Sequence, residues 1–226
     1  VETAPGDPYN PHVAIAPGLF LQPRQDGQAI VKLLLQVFIF QNPFRISAAA
    51  QIDADAGITV YLCNTNARRT NYQSRVWESF WDGYDPAGPD DQPFLAPVPR
   101  DDVPEARRAI DNMLAIHKQG IDYPARVIQR CRHHGISPWI SLRMNDCHWN
   151  AIPDHPHCGS FWKENPQFAR QNCSGYFATN LDYAHQEVRD HYMALVVETL
   201  DRYDIDGLEL DFMREPYLFS AGKEAE

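Results

Sequence analysis

From Gly57 onward, short strand-like runs alternate with segments whose apolar residues recur at helical spacing. Ile58-Thr59-Val60-Tyr61-Leu62-Cys63 is rich in β-formers and predicts a strand. Polar and aromatic text from Asn64 to about Arg100 predicts a long loop. Glu105 to Lys118 puts Ala106, Ile110, Met113, Leu114 and His117 near one helical face, with Gly120 as a stop. Tyr123 to His134 repeats the pattern with Val127, Ile128 and Cys131, and Gly135 falls where a C-terminal cap belongs. Pro138 to Met144 predicts a second strand, and a second loop runs to about Asn180. The clearest helix follows: Val188, Tyr192, Leu195, Val196, Thr199, Leu200 and Tyr203 share its apolar side, and Asn180 or Asp182 is placed to cap it. Next comes Asp204-Ile205-Asp206-Gly207-Leu208-Glu209-Leu210-Asp211-Phe212-Met213, a strand with acids in it.

Strand, loop, helix, strand, loop, helix, strand is the order that βαβ units produce, and it predicts a parallel sheet. The expected fold is therefore α/β, of the (β/α)8 TIM-barrel type. A complete barrel takes about 250 residues, and only three strands are clear with a fourth arguable. The expectation is that residues 51–226 form the first half of a barrel. Residues 1–50 read as an irregular N-terminal segment: proline and glycine dominate to Gln28, and the apolar block Ala29 to Phe40 suits either a strand or a helix. The chain begins at Val1 with no leader pattern, which fits a processed or trimmed product.

Composition narrows the partners. The chain is 44% hydrophobic and 22% charged, ordinary for a globular protein, and its net charge is -10. That balance argues against nucleic acid, whose phosphates call for a basic surface. No apolar run reaches the roughly 18–20 residues that span a bilayer, so no membrane partner is expected. Five cysteines leave at least one unpaired; Cys63 and Cys131 fall on a strand and a helix as small buried residues, while Cys147, Cys158 and Cys173 could supply one disulfide in an exported protein. Composition leaves the oligomeric state and the compartment open; an extracellular or periplasmic location follows if the substrate is a polysaccharide.

Side chains alternate along a strand, so Glu209, Asp211 and Met213 share one face and Leu208, Leu210 and Phe212 the other. Two carboxylates on one face of a buried strand are expensive unless paired or used, and barrel active sites collect at the C-terminal strand ends. The competing structural reading is a carboxylate pair held by a buried arginine. Arg143-Met144-Asn145-Asp146-Cys147-His148-Trp149 lies at the end of the preceding strand, where Arg143 can meet a carboxylate such as Glu209 and Asn145, Asp146 and His148 can bond a polar ligand. Asn64 to Tyr72, including Asn71, is dense in hydrogen-bonding side chains and fits either a hydroxyl-binding loop or an ordinary polar turn. The two loops also hold Trp77, Phe80, Trp81, Tyr84, Trp149, Phe161, Trp162, Tyr176 and Phe177; such rings can stack on sugars or anchor the loops. Cys147, His148, His155, His157 and Cys158 are zinc-type ligands, but their spacing matches no standard zinc pattern, so neither a metal nor a cofactor is expected.

Asn180-Leu181-Asp182-Tyr183-Ala184-His185-Gln186-Glu187-Val188-Arg189, the long helix, and Tyr203-Asp204-Ile205-Asp206-Gly207-Leu208-Glu209-Leu210-Asp211-Phe212 resemble the family 10-like glycoside hydrolases. Gly135-Ile136-Ser137-Pro138-Trp139-Ile140-Ser141 is similar to their preceding helix–strand unit, and the resemblance covers about residues 57–219. It implies a β/α barrel, a carbohydrate-active hydrolase and a role for Asp211 as the acid ending the fourth strand. The last strand also resembles the family 18 chitinase signature through Asp206, Glu209 and Asp211, with Met213 where that family has its proton donor, which argues against chitinase chemistry. It is similar, more loosely, to α-amylase-type strands, whose nucleophile slot Asp211 fits.

The expected function is hydrolysis of glycosidic bonds in an oligo- or polysaccharide, which usually needs two carboxyls. Asp211, Glu209 and Asp146 are the catalytic candidates; Arg143, Asn145, His148, Trp149, Arg214, Asn71 and Tyr72 are the candidates for binding substrate. The alternatives are a non-catalytic carbohydrate-binding relative and, more remotely, a metal-dependent amidohydrolase-like barrel.

Overall fold

The protein is described from a computed structural model, covering residues 19–23, 29–33, 55, 57–175, 178–212 and 217–221. Among the described residues five strands form one sheet in the order β1-β2-β3-β4-β5: β1 Leu19–Pro23, β2 Ala29–Leu33, β3 Val60–Asn64, β4 Ser137–Arg143 and β5 Gly207–Asp211. β1 pairs antiparallel with β2, and β2 to β5 are parallel. The α/β class expected from the alternation is what the structure shows. The irregular reading of residues 1–28 is corrected at Leu19–Pro23, where prolines on either side hide a short strand whose partner supplies the ladder. Of the block Ala29 to Phe40, the first five residues are strand; residues 34–40 lie outside the described residues.

Helices α1 Val103–Lys118 and α2 Tyr123–His133 connect β3 to β4, and α3 Ser160–Glu164 and α4 Gln186–Arg202 connect β4 to β5. α1 starts with Pro104 in its first turn, where a missing N–H costs nothing, and buries Ala106, Ala109, Ile110, Met113 and Ile116. α2 is capped by Asp122, whose carboxylate accepts from the Ala125 N–H at 3.0 Å, a contact worth about 1 kcal/mol. Gly135 takes a left-handed conformation (φ 70°) as the chain leaves α2, as its position predicted. α4 starts later than expected. Its N-cap is His185 without a side-chain cap bond, and Asp182 instead accepts from the Ala184 N–H and from Ser220. Leu200, expected on the buried side, is exposed, whereas Glu198 is buried.

One side of the sheet is apolar. Ile140, Leu142 and Met144 from β4 and its exit pack against Val188, Tyr192, Leu195 and Val196 of α4. Tyr61 and Cys63 of β3 pack with Val127 and Cys131 of α2. Each large aliphatic chain so buried contributes roughly 1.5–3 kcal/mol. The first loop makes a core of its own: Phe80, Trp81, Tyr84, Leu95 and Val98 close over α1. All five cysteines are free thiols, so the disulfide considered among Cys147, Cys158 and Cys173 is not formed. No helix among the described residues is long and apolar enough to cross a membrane.

The opposite side is ordered in rows by the parallel register. Leu62, Trp139 and Gly207 lie side by side, then Asn64, Ser141 and Glu209, then Arg143 and Asp211. Neighbours in a row are about 4.8 Å apart and successive rows about 6.6 Å. The first row is apolar and the next two are polar. Gly207 makes the first row fit, since a Cβ there would meet the Trp139 ring at 2.4 Å. Gly207→Ala is therefore expected to lower stability by about 1–3 kcal/mol, read as a drop in denaturant midpoint; an unchanged midpoint would show that β4 and β5 are not packed this way.

Candidate functional site

Arg143 ends β4 and is almost completely buried, as is Asp211 beside it on β5. Its backbone is held by Asn66, whose Oδ1 accepts from the Arg143 N–H at 2.9 Å and whose Nδ2 donates to the Arg143 carbonyl at 2.9 Å. This amide continues the β3–β4 ladder past the last strand residue. The guanidinium donates through Nη1 to Asp146 Oδ2 at 3.0 Å. That pairing differs from the expected one: Arg143 turns to Asp146, three residues on, while the register sets Ser141 and not Arg143 beside Glu209. Among the described residues Arg143 Nε and Nη2 have no partner, and neither do Ser141 Oγ and Asn64 Oδ1, all on the polar rows.

Asp146 is a hub. Besides Arg143 it accepts from the His148 backbone N–H at 3.0 Å and contacts His148 Nδ1 at 2.8 Å, and its own carbonyl accepts from Arg68 Nε at 2.8 Å. Burial pushes its carboxyl upward, but His148, Arg143 and Arg68 outweigh that and hold it well below the usual carboxylate range. A carboxylate so committed to its neighbours stays ionised and acts as an organiser; it has no proton to give.

The other residues proposed for substrate binding divide. Asn145 donates to the Leu181 carbonyl at 3.1 Å and accepts from the Leu181 N–H, fixing the far end of the second loop. His148 is half-exposed on Asp146 and remains available to a ligand. Trp149 takes a left-handed backbone (φ 65°), rare for a bulky residue, and is held there by stacking on His155 at 4.0 Å and by donation from Nε1 to His157 at 3.1 Å. Asn71 donates to the Asn64 carbonyl at 3.0 Å. Tyr72 is corrected: it lies in the core, where its hydroxyl donates to Glu198 Oε2 of α4 at 3.2 Å. That carboxylate also binds Ser74 and the Arg75 N–H, so Tyr72 belongs to a clamp between loop and helix. Arg214 lies outside the described residues, as do Met213, Glu215, Tyr176 and Phe177. Asp206, the first acid of the chitinase-like run, sits at the opposite end of β5, bonded to Ser137 at 2.6 Å and Arg132 at 2.8 Å.

The hydrogen-bonding run after β3 serves the protein's own backbone. Asn64 donates to the Ser141 carbonyl, Asn66 to that of Arg143, Arg68 to that of Asp146 and Thr70 to that of Tyr72. Of the aromatics, Trp77, Phe80, Trp81 and Tyr84 are core residues. A cavity of about 280 Å³ opens where Asn145 leaves β4, walled by Trp77, Glu78, Phe161, Trp162 and His191. His191 lies between Phe161 (3.8 Å) and Trp77 (4.3 Å), and burial pushes it down to about 4, so it is neutral near pH 7. Arg68 lies over Trp162 at 4.2 Å. Arg68 belongs to the hydrogen-bonding run after β3, whereas His191 and Glu78 escaped the sequence reading because nothing local marks them; the first lies on α4 and the second in the first loop. His155 and His157 are likewise driven neutral by burial, to about 2 and about 4. Among the described residues no three His, Cys, Asp or Glu side chains converge as metal ligands do.

No protein-family model matches the chain, and no curated protein matches it. The resemblance to family 10-like glycoside hydrolases thus gains no support from these comparisons. Among solved structures, the galactosidase domain of an alpha-galactosidase-sucrose kinase is similar at 17% identity with a TM-score of 0.42. The similarity covers 77% of this chain, and the chain spans 19% of that one.

The Asp146 arrangement has a pH signature. The folded protein keeps Asp146 ionised to lower pH than the unfolded chain, whose carboxyl titrates near the ordinary value of 3.8. Its contribution is intact above that value and is lost as pH falls below it, toward the depressed folded value. Asp146→Asn, which leaves Arg143 buried without a counter-charge, is expected to cost about 3–5 kcal/mol at pH 7 and to flatten the loss of stability below pH 3.8. Denaturant unfolding of both proteins between neutral and acid pH measures this; a variant as stable as the parent would remove Asp146 as the hub.

Proposed function

We propose that this chain forms the first strands of a (β/α)8 barrel and works as a carbohydrate-active hydrolase cleaving glycosidic bonds, with Asp211 as one of its two carboxyls. The observation that supports this most is the position of Asp211: a buried carboxylate at the C-terminal end of a parallel strand, in register with Arg143 and one row above Glu209. Strand ends on this side are where barrel enzymes assemble their chemistry.

Glycoside hydrolysis asks for an acid and a base or nucleophile on either side of the scissile bond. Glu209 follows Asp211 by two positions on the same strand, which suits tuning its charge better than straddling a bond with it. Asp146 is committed to Arg143 and His148 and positions them. The second carboxyl is therefore sought on a strand other than β5. His148, half-exposed at the exit of β4, is the group we assign to a substrate hydroxyl. The substrate is an oligo- or polysaccharide, and an exported location goes with it. A second reading, a non-catalytic carbohydrate-binding protein, is favoured by the aromatic-walled cavity beside Asn145.

Reducing-sugar release from a panel of polysaccharides, measured with the full-length protein and its Asp211→Asn variant, tests the reading. The expected result is release by the parent and a loss of about 10²–10⁴-fold in the folded variant. Equal release from both, or none from the folded parent, would sink Asp211 as a catalyst and leave the binding reading.

A further inference from the structure

The middle polar row has a property that catalysis by Asp211 does not explain. Asn64 and Ser141 are side by side on β3 and β4, both more than nine-tenths buried, and Arg143 stands one row above on β4. The Asn64 amide is oriented by donation from Nδ2 to the Ser141 carbonyl at 3.0 Å, which leaves Oδ1 as an acceptor without a partner among the described residues. Ser141 Oγ also lacks a partner, and so do Nε and Nη2 of Arg143. Buried polar atoms are satisfied in the great majority of native proteins, because each orphan forfeits its hydration. Several orphans on one sheet face are a cost that a bound group would remove.

The chemistry of the row indicates what that group is. Asn64 Oδ1 asks for a donor, Arg143 Nε and Nη2 ask for acceptors, and Ser141 Oγ takes either. One functional group that donates and accepts at adjacent positions meets all three: the hydroxyl, presented several times on one ring. Charge excludes the acidic counterpart. Asp146 already neutralises Arg143, and the rows bring Glu209 and Asp211 alongside, so a carboxylate-bearing ligand would enter against two acids.

We infer that Asn64, Ser141 and Arg143 form a specificity-determining set, spread over the two polar rows, that reads the hydroxyls of a neutral sugar ring and discriminates against uronic acids. This rests on the proposed hydrolase reading for the sugar class, and adds which side chains select it. Arg143 is the strongest of the three, since its bonds are charge-assisted; Ser141 is the one whose sole contribution is to the ligand.

The test measures binding, so that its failure is separable from a failure of turnover. Glucose, galactose, mannose and xylose, and separately glucuronate and galacturonate, are titrated calorimetrically into the full-length parent, Ser141→Ala and Arg143→Lys. Arg143→Lys keeps a cation for Asp146 and removes the Nε and Nη2 donors of the guanidinium fork; Ser141→Ala removes an orphan hydroxyl and should leave the melting temperature unchanged or raised. At least one neutral sugar is expected to bind the parent, more tightly than either uronate. Binding should weaken about three- to tenfold in Ser141→Ala and about tenfold or more in Arg143→Lys. Tighter binding of a uronate, binding that neither variant weakens, or no binding of any probe would overturn the set. If turnover nevertheless depended on Asp211, the hydrolase would stand without it; if sugars bound as described and nothing turned over, the set would stand and the hydrolase fall.

Discussion

The end of β4 depends on one buried ion pair. An arginine removed from water costs several kcal/mol of lost hydration, and Asp146 offsets part of this through the one bond to Nη1. Asn66 fixes the Arg143 backbone, His148 and Arg143 share the Asp146 carboxylate, and Arg68 grips the Asp146 carbonyl. The pair therefore ties the exit of β3, the exit of β4 and the start of the second loop into one unit. Because Asp146 absorbs the charge of Arg143 through a single nitrogen, the guanidinium is neutralised while most of its donors stay uncommitted. That division sets the electrostatic character of the face on which Asp211 lies.

Around this unit the two long loops solve a common problem. A loop that crosses the top of a sheet cannot leave its backbone groups unbonded, and it cannot reach the core the helices have filled. Asparagine, threonine and arginine side chains after β3 take up the first task by bonding carbonyls of β4 and of the loop itself. Aromatic side chains take up the second by building a separate core against α1. The Glu198 clamp completes the attachment: Tyr72, Ser74 and the Arg75 N–H converge on one buried carboxylate of α4, and Arg202 links it to the Asp122 cap of α2. Residue types that look like ligand binders are spent on folding, and the uncommitted groups are fewer and deeper than composition suggests.

The two sides of the sheet then divide their tasks by chemistry. The side toward α2 and α4 is apolar. The other begins with Leu62, Trp139 and Gly207 and turns polar over the next two rows. The glycine is what lets the indole lie flat across its neighbour, making an apolar floor under groups that hydrogen-bond. A floor of that kind lowers the local dielectric, which strengthens every polar contact made above it and raises the cost of any left unmade.

Much of this was written locally. The periodicities of α1, α2 and α4, the β-rich runs of β3 and β4, and the alternation that puts Glu209 and Asp211 on one face are properties of neighbours in the chain, and the sequence by itself determined them. It could not place β1, because a five-residue strand among prolines is defined by its partner; nor the start of α4, because Asp182 was drawn off to Ser220, 38 positions away. It put Tyr72 at a surface that Glu198 had already claimed, and offered Arg143 to Glu209 when register and a nearer carboxylate decided otherwise. The rows joining Asn64, Ser141 and Glu209 depend on which residues lie abreast across three strands. Only the tertiary structure decided that, since register is the outcome of packing both faces of a sheet at once, and no single segment contains it.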